Sequence, residues 1–89
     1  MKFTWDINKA DFNRKTHEVE FDEATTVFGD PLAGTFPDAD HSIGELRLIT
    51  VGKSSSGQLL VVSHTENATE IRIISARLAT THERKRYES

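Results

Sequence analysis

Three successive segments rich in isoleucine, valine, leucine and threonine constrain the fold of this chain more than any other feature. They cover residues 45–51, 59–65 and 70–76. Side chains of these types favour a pleated, largely buried sheet surface. The connections at 52–57 and 66–68 are short, so consecutive strands are predicted to pair in antiparallel fashion. The sequence therefore predicts an antiparallel meander of three strands.

The N-terminal part of the chain is predicted to form a short strand followed by two helices. Residues 2–5 read as the strand, and Asp6 is a good N-cap for a helix over about 7–17. A second helix is predicted over 21–28, where apolar side chains recur with helical spacing. Gly29 and the proline shortly after it are expected to end this helix.

A capping box near the C-terminus predicts one more helix. The hydroxyl of Thr80 is expected to accept the amide of Glu83, whose carboxylate reaches back, and the helix should continue to about Glu88. Another short strand is predicted over 32–36. The resulting order is β-αα-β-β-β-β-α, which describes an α+β fold with helices packed against an antiparallel sheet.

Composition restricts the chain to one ordinary globular domain over residues 1–89. Its 36% apolar and 28% charged residues suit a single modest core. It contains no cysteine, so disulfides and thiolate zinc sites are excluded. No apolar run approaches the roughly 18 residues of a membrane span, and the first residues do not resemble a signal peptide. We therefore expect a cytoplasmic protein that does not bind a membrane.

Charge is distributed unevenly along the chain. Residues 1–45 contain ten acidic and four basic side chains, whereas residues 46–89 contain seven basic and four acidic ones. A surface that faces a polyanion would therefore be built by the C-terminal half. There, a strand that carries Arg72 and ends at Arg77 leads into a basic run at 84–86. This corner is a candidate for binding phosphates, and chance clustering in an ordinary charge mixture is the alternative.

Short motifs in a fixed order extend over nearly the whole chain. They are Trp5-Asp6 with Lys9, Asn13 through His17, Phe21-Asp22-Glu23-Ala24, Val27-Phe28 with Asp30-Pro31, Phe36-Pro37-Asp38, Asp40-His41-Ser42, Gly44-Glu45 with Arg47, Gly52 with Ser54, Ile71 through Arg77, Glu83-Arg84 and Tyr87-Glu88. Each motif alone is weak, and the segment 71–77 is the most specific. By their order and spacing the chain resembles the BrnT family of type II toxin–antitoxin toxins, small ribonucleases with a RelE-like fold.

The resemblance implies an activity and a set of partners. The activity is cleavage of RNA without a metal or cofactor, which halts translation. The partner is a BrnA-type antitoxin that covers the toxin and represses their operon, so that operator DNA is contacted only through the antitoxin complex. The chain departs from the family at Thr16-His17-Glu18, where members usually read Lys-His-Gly. A non-catalytic domain that still binds antitoxin or RNA is therefore the alternative function.

The chemistry of metal-independent RNA cleavage indicates which residue types to consider. Arginine suits a pentavalent phosphate because its planar fork donates two parallel hydrogen bonds and stays charged. Histidine suits proton transfer because its ordinary pKa lies near neutrality. We predict that Arg77 and Arg72 hold the scissile phosphate. We further predict that Arg47, in the middle of a strand, assists them and that His17 carries the proton.

Arg77, Arg72 and His17 each have an alternative, purely structural interpretation. Arg77 could pair with a glutamate, and Arg72 could pair with an acidic residue across the sheet. His17 could interact favourably with the dipole of the helix that it ends. In addition, Arg72 and Arg77 are five positions apart, so an unbroken strand points them to opposite faces. Both can serve one site only if the strand ends near Ser75.

Four further cations are candidates for RNA binding, namely Lys53, Arg84, Lys85 and Arg86. A solvated helix face or a surface for the antitoxin explains the last three equally well. His64 shares a strand face with Leu60 and Val62, which predicts a packed core histidine. Turn chemistry explains the acidic residues of the loop around His41, so no metal site is predicted.

Overall fold

Five strands form a single mixed sheet in the computed structural model, which describes residues 1–89. The strands are β1 (Lys2–Trp5), β2 (Gly34–Pro37), β3 (Leu48–Lys53), β4 (Leu59–Glu66) and β5 (Glu70–Leu78). The helices are α1 (Ile7–His17), α2 (Phe21–Thr25) and α3 (Thr81–Glu88), and there are 3₁₀ turns at Thr26–Gly29 and Ala39–His41. The α+β class is confirmed. No helix has the length and apolar character that crossing a membrane requires.

The sheet has the strand order β1-β5-β4-β3-β2. Strands β3, β4 and β5 pair antiparallel, as their short connections predicted, and β2 adds to β3 in the same way. At the other edge β1 runs parallel to β5, from Lys2 opposite Glu70 to Trp5 opposite Ile73. The prediction of a wholly antiparallel sheet is therefore wrong. Short turns dictate strand direction only between neighbours in sequence, whereas β1 meets β5 after most of the chain has intervened.

The hydrophobic core lies between the helices and one face of the sheet. Both α1 and α2 contact β5. The buried cluster consists of Val19, Phe21, Ala24, Val27, Leu60, Val62, Ile71, Ile73 and Ala76. Phe3 and Trp5 of β1 pack against it, and the indole of Trp5 meets the ring of Phe21 edge to face. Because this face is covered, exposed functional side chains are found on the opposite face and at the edges of the sheet.

Among the strand boundaries that differ from the predicted ones, two affect arginines. Strand β3 begins at Leu48, so Arg47 precedes the strand and does not lie in its middle, as had been predicted. The hydroxyl of Ser42 explains this difference, because its oxygen accepts the Arg47 amide at 3.0 Å in place of a strand partner. Strand β5 continues to Leu78 and does not end near Ser75. The consequence for its two arginines is described below.

Glu18 ends α1 in a left-handed conformation. Its φ and ψ are 58° and 32°, and its amide donates to the carbonyl oxygen of Arg14 at 2.9 Å. It is the one residue other than glycine with a positive φ. A side chain with a Cβ atom strains this conformation, whereas glycine adopts it freely.

We expect the variant Glu18→Gly to be more stable than the parent chain. Removal of the left-handed strain should raise the free energy of unfolding by about 1 kcal/mol, which corresponds to roughly 4–8 °C in Tm. Thermal unfolding followed by circular dichroism measures this. Glu20→Gly is the matched control, because Glu20 is also exposed and has a φ of −80°. An equal response of the two variants would contradict the explanation.

His64 is a core residue, as its strand position predicted. Its side chain is fully buried, and its Nε2 atom lies 2.7 Å from the hydroxyl of Thr50. The ring meets Phe28 edge to face. The Nδ1 atom has no hydrogen-bond partner, and a carboxylate oxygen of Glu66 lies 3.9 Å from it. Burial lowers the pKa of His64 below its ordinary value, and the charge of Glu66 opposes this only in part.

The stability of the fold should therefore decrease with acidification below about pH 6.5. The unfolded chain takes up a proton at His64 near that pH, whereas the folded chain resists it, so stability present above pH 6.5 is lost as the pH falls. The free energy of unfolding should fall by up to about 1.4 kcal/mol per pH unit. Urea unfolding between pH 5 and 7 measures the slope, and His64→Gln should flatten it. An unchanged slope in that variant would refute the role of this histidine.

Candidate functional site

A β-bulge places Arg72 and Arg77 on the same face of the sheet. Across β4 they are opposite Thr65 and Val61, which are four residues apart and so share a face. The register shifts near Ser63 and His64, and Ile74 is the extra residue of β5. Side chains alternate between the two faces of a strand, and one extra residue shifts this alternation by one position. The five-residue step from Arg72 to Arg77 on β5 therefore matches a four-residue step on β4. The expectation that the strand must end near Ser75 was wrong, because the bulge brings both arginines to the face opposite the core.

Arg77 forms a bidentate ion pair with Glu83 of α3. The Nη1–Oε1 and Nη2–Oε2 distances are 2.8 and 2.9 Å. Glu83 is also the predicted capping-box partner, and its Oε1 accepts the Thr80 amide at 2.9 Å. Hydrogen bonds from Arg77 lower the pKa of Glu83 to about 2, and the same pair raises the pKa of Arg77. The glutamate pair foreseen as the alternative role of Arg77 is thus present, and it presents the guanidinium at the strand-to-helix junction.

Glu45 brings Arg72 and Arg47 together. The Nη2 atom of Arg72 donates to both carboxylate oxygens of Glu45, at 2.9 and 3.1 Å. The Nε atom of Arg47 lies 3.9 Å from Oε1 of the same carboxylate. Arg47 and Arg72 also line one small cavity, whose wall includes Lys9 of α1. The predicted grouping of these two arginines is therefore realised, through a glutamate and beside a lysine that sequence reasoning had not assigned to the site.

Arg72 separates two cavities of opposite charge. On one side it faces a groove of about 400 Å³ that is also lined by Glu45, Glu66 and Glu70. On the other side the smaller cavity of about 160 Å³ contains Lys9 and Arg47. An anionic ligand is attracted to the second side and repelled from the first. Sequence order could not show this division, because the residues come from four separate segments.

His17 lies apart from the cation cluster. It is exposed at the end of α1, its side chain forms no hydrogen bond, and it lines neither cavity beside Arg72. Eight residues separate it from Lys9, which corresponds to about 12 Å along the helix axis. It follows one turn after Asn13, whose amide contacts Ala76, the neighbour of Arg77. Arg47, Arg72 and Arg77 pair with glutamates, and none of them is bonded to His17.

The four candidate RNA-binding cations lie on exposed surface. Lys53 ends β3, and its amide donates to the carboxylate of Asp30 at 2.8 Å. Arg84 approaches Glu88 within 3.8 Å, so the helix satisfies part of its own charge. Lys85 has no ion-pair partner, and Arg86 lines a larger cavity of about 460 Å³ between α3 and β2. All four remain predictions.

Asp30 ties α3 to the rest of the molecule. Its carboxylate accepts the hydroxyl of Tyr87 as well as the amide of Lys53. The Lys53 amide, followed by the Tyr87 hydroxyl, lowers the pKa of Asp30, and the same contact raises the pKa of Tyr87. Tyr87 is thus an anchor of the terminal helix, which keeps Glu83 in position against Arg77.

Comparison with known proteins identifies a matching family and a similar solved structure. The family described as "Ribonuclease toxin, BrnT, of type II toxin-antitoxin system" matches residues 5–83. The crystal structure of the ribonuclease toxin BrnT from Brucella abortus is similar, with a TM-score of 0.69 and 25% sequence identity over 91% of this chain and 99% of that one. No curated protein sequence matches the chain.

Proposed function

We propose that this chain, which belongs to the BrnT family of ribonuclease toxins of type II toxin–antitoxin systems, cleaves RNA by attack of a 2′-hydroxyl on the adjacent phosphate. The proposal rests on one observation: Arg72 and Arg77 lie on the same face of the sheet because of the bulge at Ile74. Two guanidinium groups on one open face can contact consecutive parts of an RNA backbone. No metal ion takes part in the proposed reaction.

Arg77 is proposed to bind the scissile phosphate, and Arg72 with Arg47 to bind the backbone beside it. Four residues of β4 separate the two β5 arginines, which is about 13 Å between their Cα atoms. That separation suits two neighbouring points of contact along one strand. At Arg77 a phosphate takes the place of the Glu83 carboxylate, which presents the same two-oxygen geometry to the guanidinium.

His17 is the proposed proton carrier, and Glu83 positions the guanidinium of Arg77 until RNA binds. A carboxylate with a pKa of about 2 is a weak base at neutral pH, so Glu83 does not suit proton abstraction. Histidine exchanges protons readily in this range. The end of α1 must approach Arg77 once RNA is bound for His17 to act. Neutralisation of Arg77 by Glu83 before RNA binds also limits non-specific attraction of other anions.

The wider biological setting forms part of the same proposal. The toxin is neutralised by a BrnA-type antitoxin, and operator DNA is bound only by the complex of the two. Its action in the cytoplasm inhibits translation. Residues 1–89 act as one domain of RelE-like type, without a cofactor, and Lys53 and the basic run of α3 contribute to RNA binding.

A second candidate is a non-catalytic domain that retains its antitoxin or RNA. Two observations favour it: both β5 arginines are paired with glutamates, and Glu18 stands in a strained left-handed conformation beside His17. In this case the arginine pairs serve stability and the histidine has no substrate to act on.

Cleavage of a labelled RNA by the purified protein in the presence of EDTA distinguishes the two functions. Products with 2′,3′-cyclic phosphate ends are expected, since the deprotonated 2′-oxygen bonds to phosphorus and closes that ring. The bond to the 5′-oxygen of the next nucleotide breaks, and this oxygen takes up a proton to leave a 5′-hydroxyl end. RNA binding without any cleavage by a folded protein would favour the non-catalytic domain. Cleavage that EDTA abolishes would refute metal independence.

A further inference from the structure

Three of the six residues that line the cavity beside the first turn of α1 are cations. Its wall consists of Asp6, Lys9, Arg47, Arg72, Ile73 and Ile74. The three cations come from α1, from the segment before β3 and from β5, so only the fold brings them together. Its volume of about 160 Å³ is below the roughly 300–1,000 Å³ of pockets that enclose a whole small-molecule ligand. The cavity thus suits a single compact group.

The carboxylate of the one acidic residue in this cavity already accepts hydrogen bonds from the helix backbone. Asp6 is the N-cap of α1, and its Oδ1 atom accepts the amides of Asn8 and Lys9 at 2.8 and 3.1 Å. The ammonium of Lys9, in contrast, forms neither a hydrogen bond nor an ion pair. Three positive charges therefore face one carboxylate whose hydrogen bonds are directed into the helix, and the cavity attracts an anion.

Both arginines that line this cavity keep donors without a partner. The contacts of Arg72 with Glu45 use only Nη2, so its Nε and Nη1 atoms have no partner. The one ion pair of Arg47 is the loose contact of 3.9 Å with the same glutamate. Glu45 lines the acidic groove and not this cavity, so it holds the two arginines without filling the cavity.

We infer that Lys9 binds a backbone phosphate of RNA together with Arg47 and Arg72, and is thus a third substrate-binding residue of that site. The inference rests on the proposed function for the identity of the anion. One phosphate group has the charge and compact shape that the cavity accommodates. A lysine ammonium acts there as a point charge beside two guanidinium forks.

Binding of a single-stranded 2′-O-methyl RNA oligonucleotide at several salt concentrations tests the inference. The methyl group blocks attack by the 2′-oxygen, so binding is measured apart from cleavage. Lys9→Met should weaken binding about tenfold at low salt. It should also reduce the slope of log K against log salt by about 0.7, as expected for one lost phosphate contact with a single strand. Lys9→Arg should restore most of the affinity.

Lys15→Met is the matched control. Lys15 is exposed on the same helix, pairs with Asp11 at 3.0 Å and lines neither cavity beside Arg72. The Lys15→Met variant should bind the oligonucleotide with the affinity of the parent chain. Equal affinities and slopes for Lys9→Met and Lys15→Met would overturn the inference, as would a parent chain that does not bind the oligonucleotide. The protein could also bind the oligonucleotide, lose affinity only in Lys9→Met, and fail to cleave unmodified RNA. That result would support the role of Lys9 and refute the proposed ribonuclease function.

Discussion

Replacement of Arg77 by alanine is expected to reduce the rate of RNA cleavage by about 10²–10³-fold, the typical loss when one preorganised donor to a developing oxyanion is removed. Arg77 lies at the strand-to-helix junction and presents two donors in a fixed fork. Arg77→Lys should remain severely impaired, because an ammonium keeps the charge but cannot donate two parallel hydrogen bonds. Initial rates with labelled RNA, and growth arrest on expression, measure both variants.

Arg14→Ala is the appropriate control for Arg77→Ala. Arg14 is an exposed arginine that pairs with Asp11 on the outer face of α1, so its loss changes the net charge by the same amount. Its variant should cleave RNA at the parental rate. Thermal unfolding and antitoxin binding should show that Arg77→Ala is folded. A folded Arg77→Ala protein with parental activity would refute the assignment of the catalytic arginine.

Replacement of Asn13 by alanine is expected to have the largest effect on stability. Asn13 is only 3% exposed, and its amide group forms three hydrogen bonds to backbone. It donates to the carbonyl oxygens of Val19 and Ala76 at 3.0 and 2.8 Å, and accepts the Ala76 amide at 3.0 Å. In this way the side chain takes the place of a neighbouring strand where β5 extends beyond β1, and it joins α1 to the sheet.

Asn13→Ala leaves three buried backbone groups without partners. Such groups cost roughly 1–3 kcal/mol each, so we expect a loss of about 3 kcal/mol in the free energy of unfolding and a decrease in Tm of roughly 12–24 °C. Urea unfolding measures the free energy directly. Asn8→Ala is the matched control, because Asn8 is exposed on the same helix and its side chain forms no hydrogen bond. Similar losses in both variants would refute this role of Asn13.

Several features that depend on neighbours in sequence were predicted correctly, although the second helix, predicted over 21–28, ends at Thr25 and is followed by a 3₁₀ turn. Asp6 caps α1, and Thr80 and Glu83 form the capping box of α3. The three-stranded meander has the predicted antiparallel pairing. Each of these depends on hydrogen bonds or turns that span only a few residues, so the local sequence contains the information that specifies them.

Features of the candidate site were predicted only in part. Arg47, Arg72 and Arg77 were named, but the partners that hold them, Glu45 and Glu83, were not identified as such. The bulge at Ile74 was also missed, because an extra residue in one strand is visible only against the register of the other. A simple count of alternating positions therefore assigned the two β5 arginines to opposite faces.

The sequence by itself determined the α+β class, the capped helices and the meander, because these follow from short-range hydrogen bonding and hydrophobic spacing. The tertiary structure alone decided the parallel pairing of β1, the common face of Arg72 and Arg77 and the arrival of Lys9 beside them. These depend on contacts between segments that are distant in the chain. Such contacts are selected by the packing of the whole core, which no local pattern specifies.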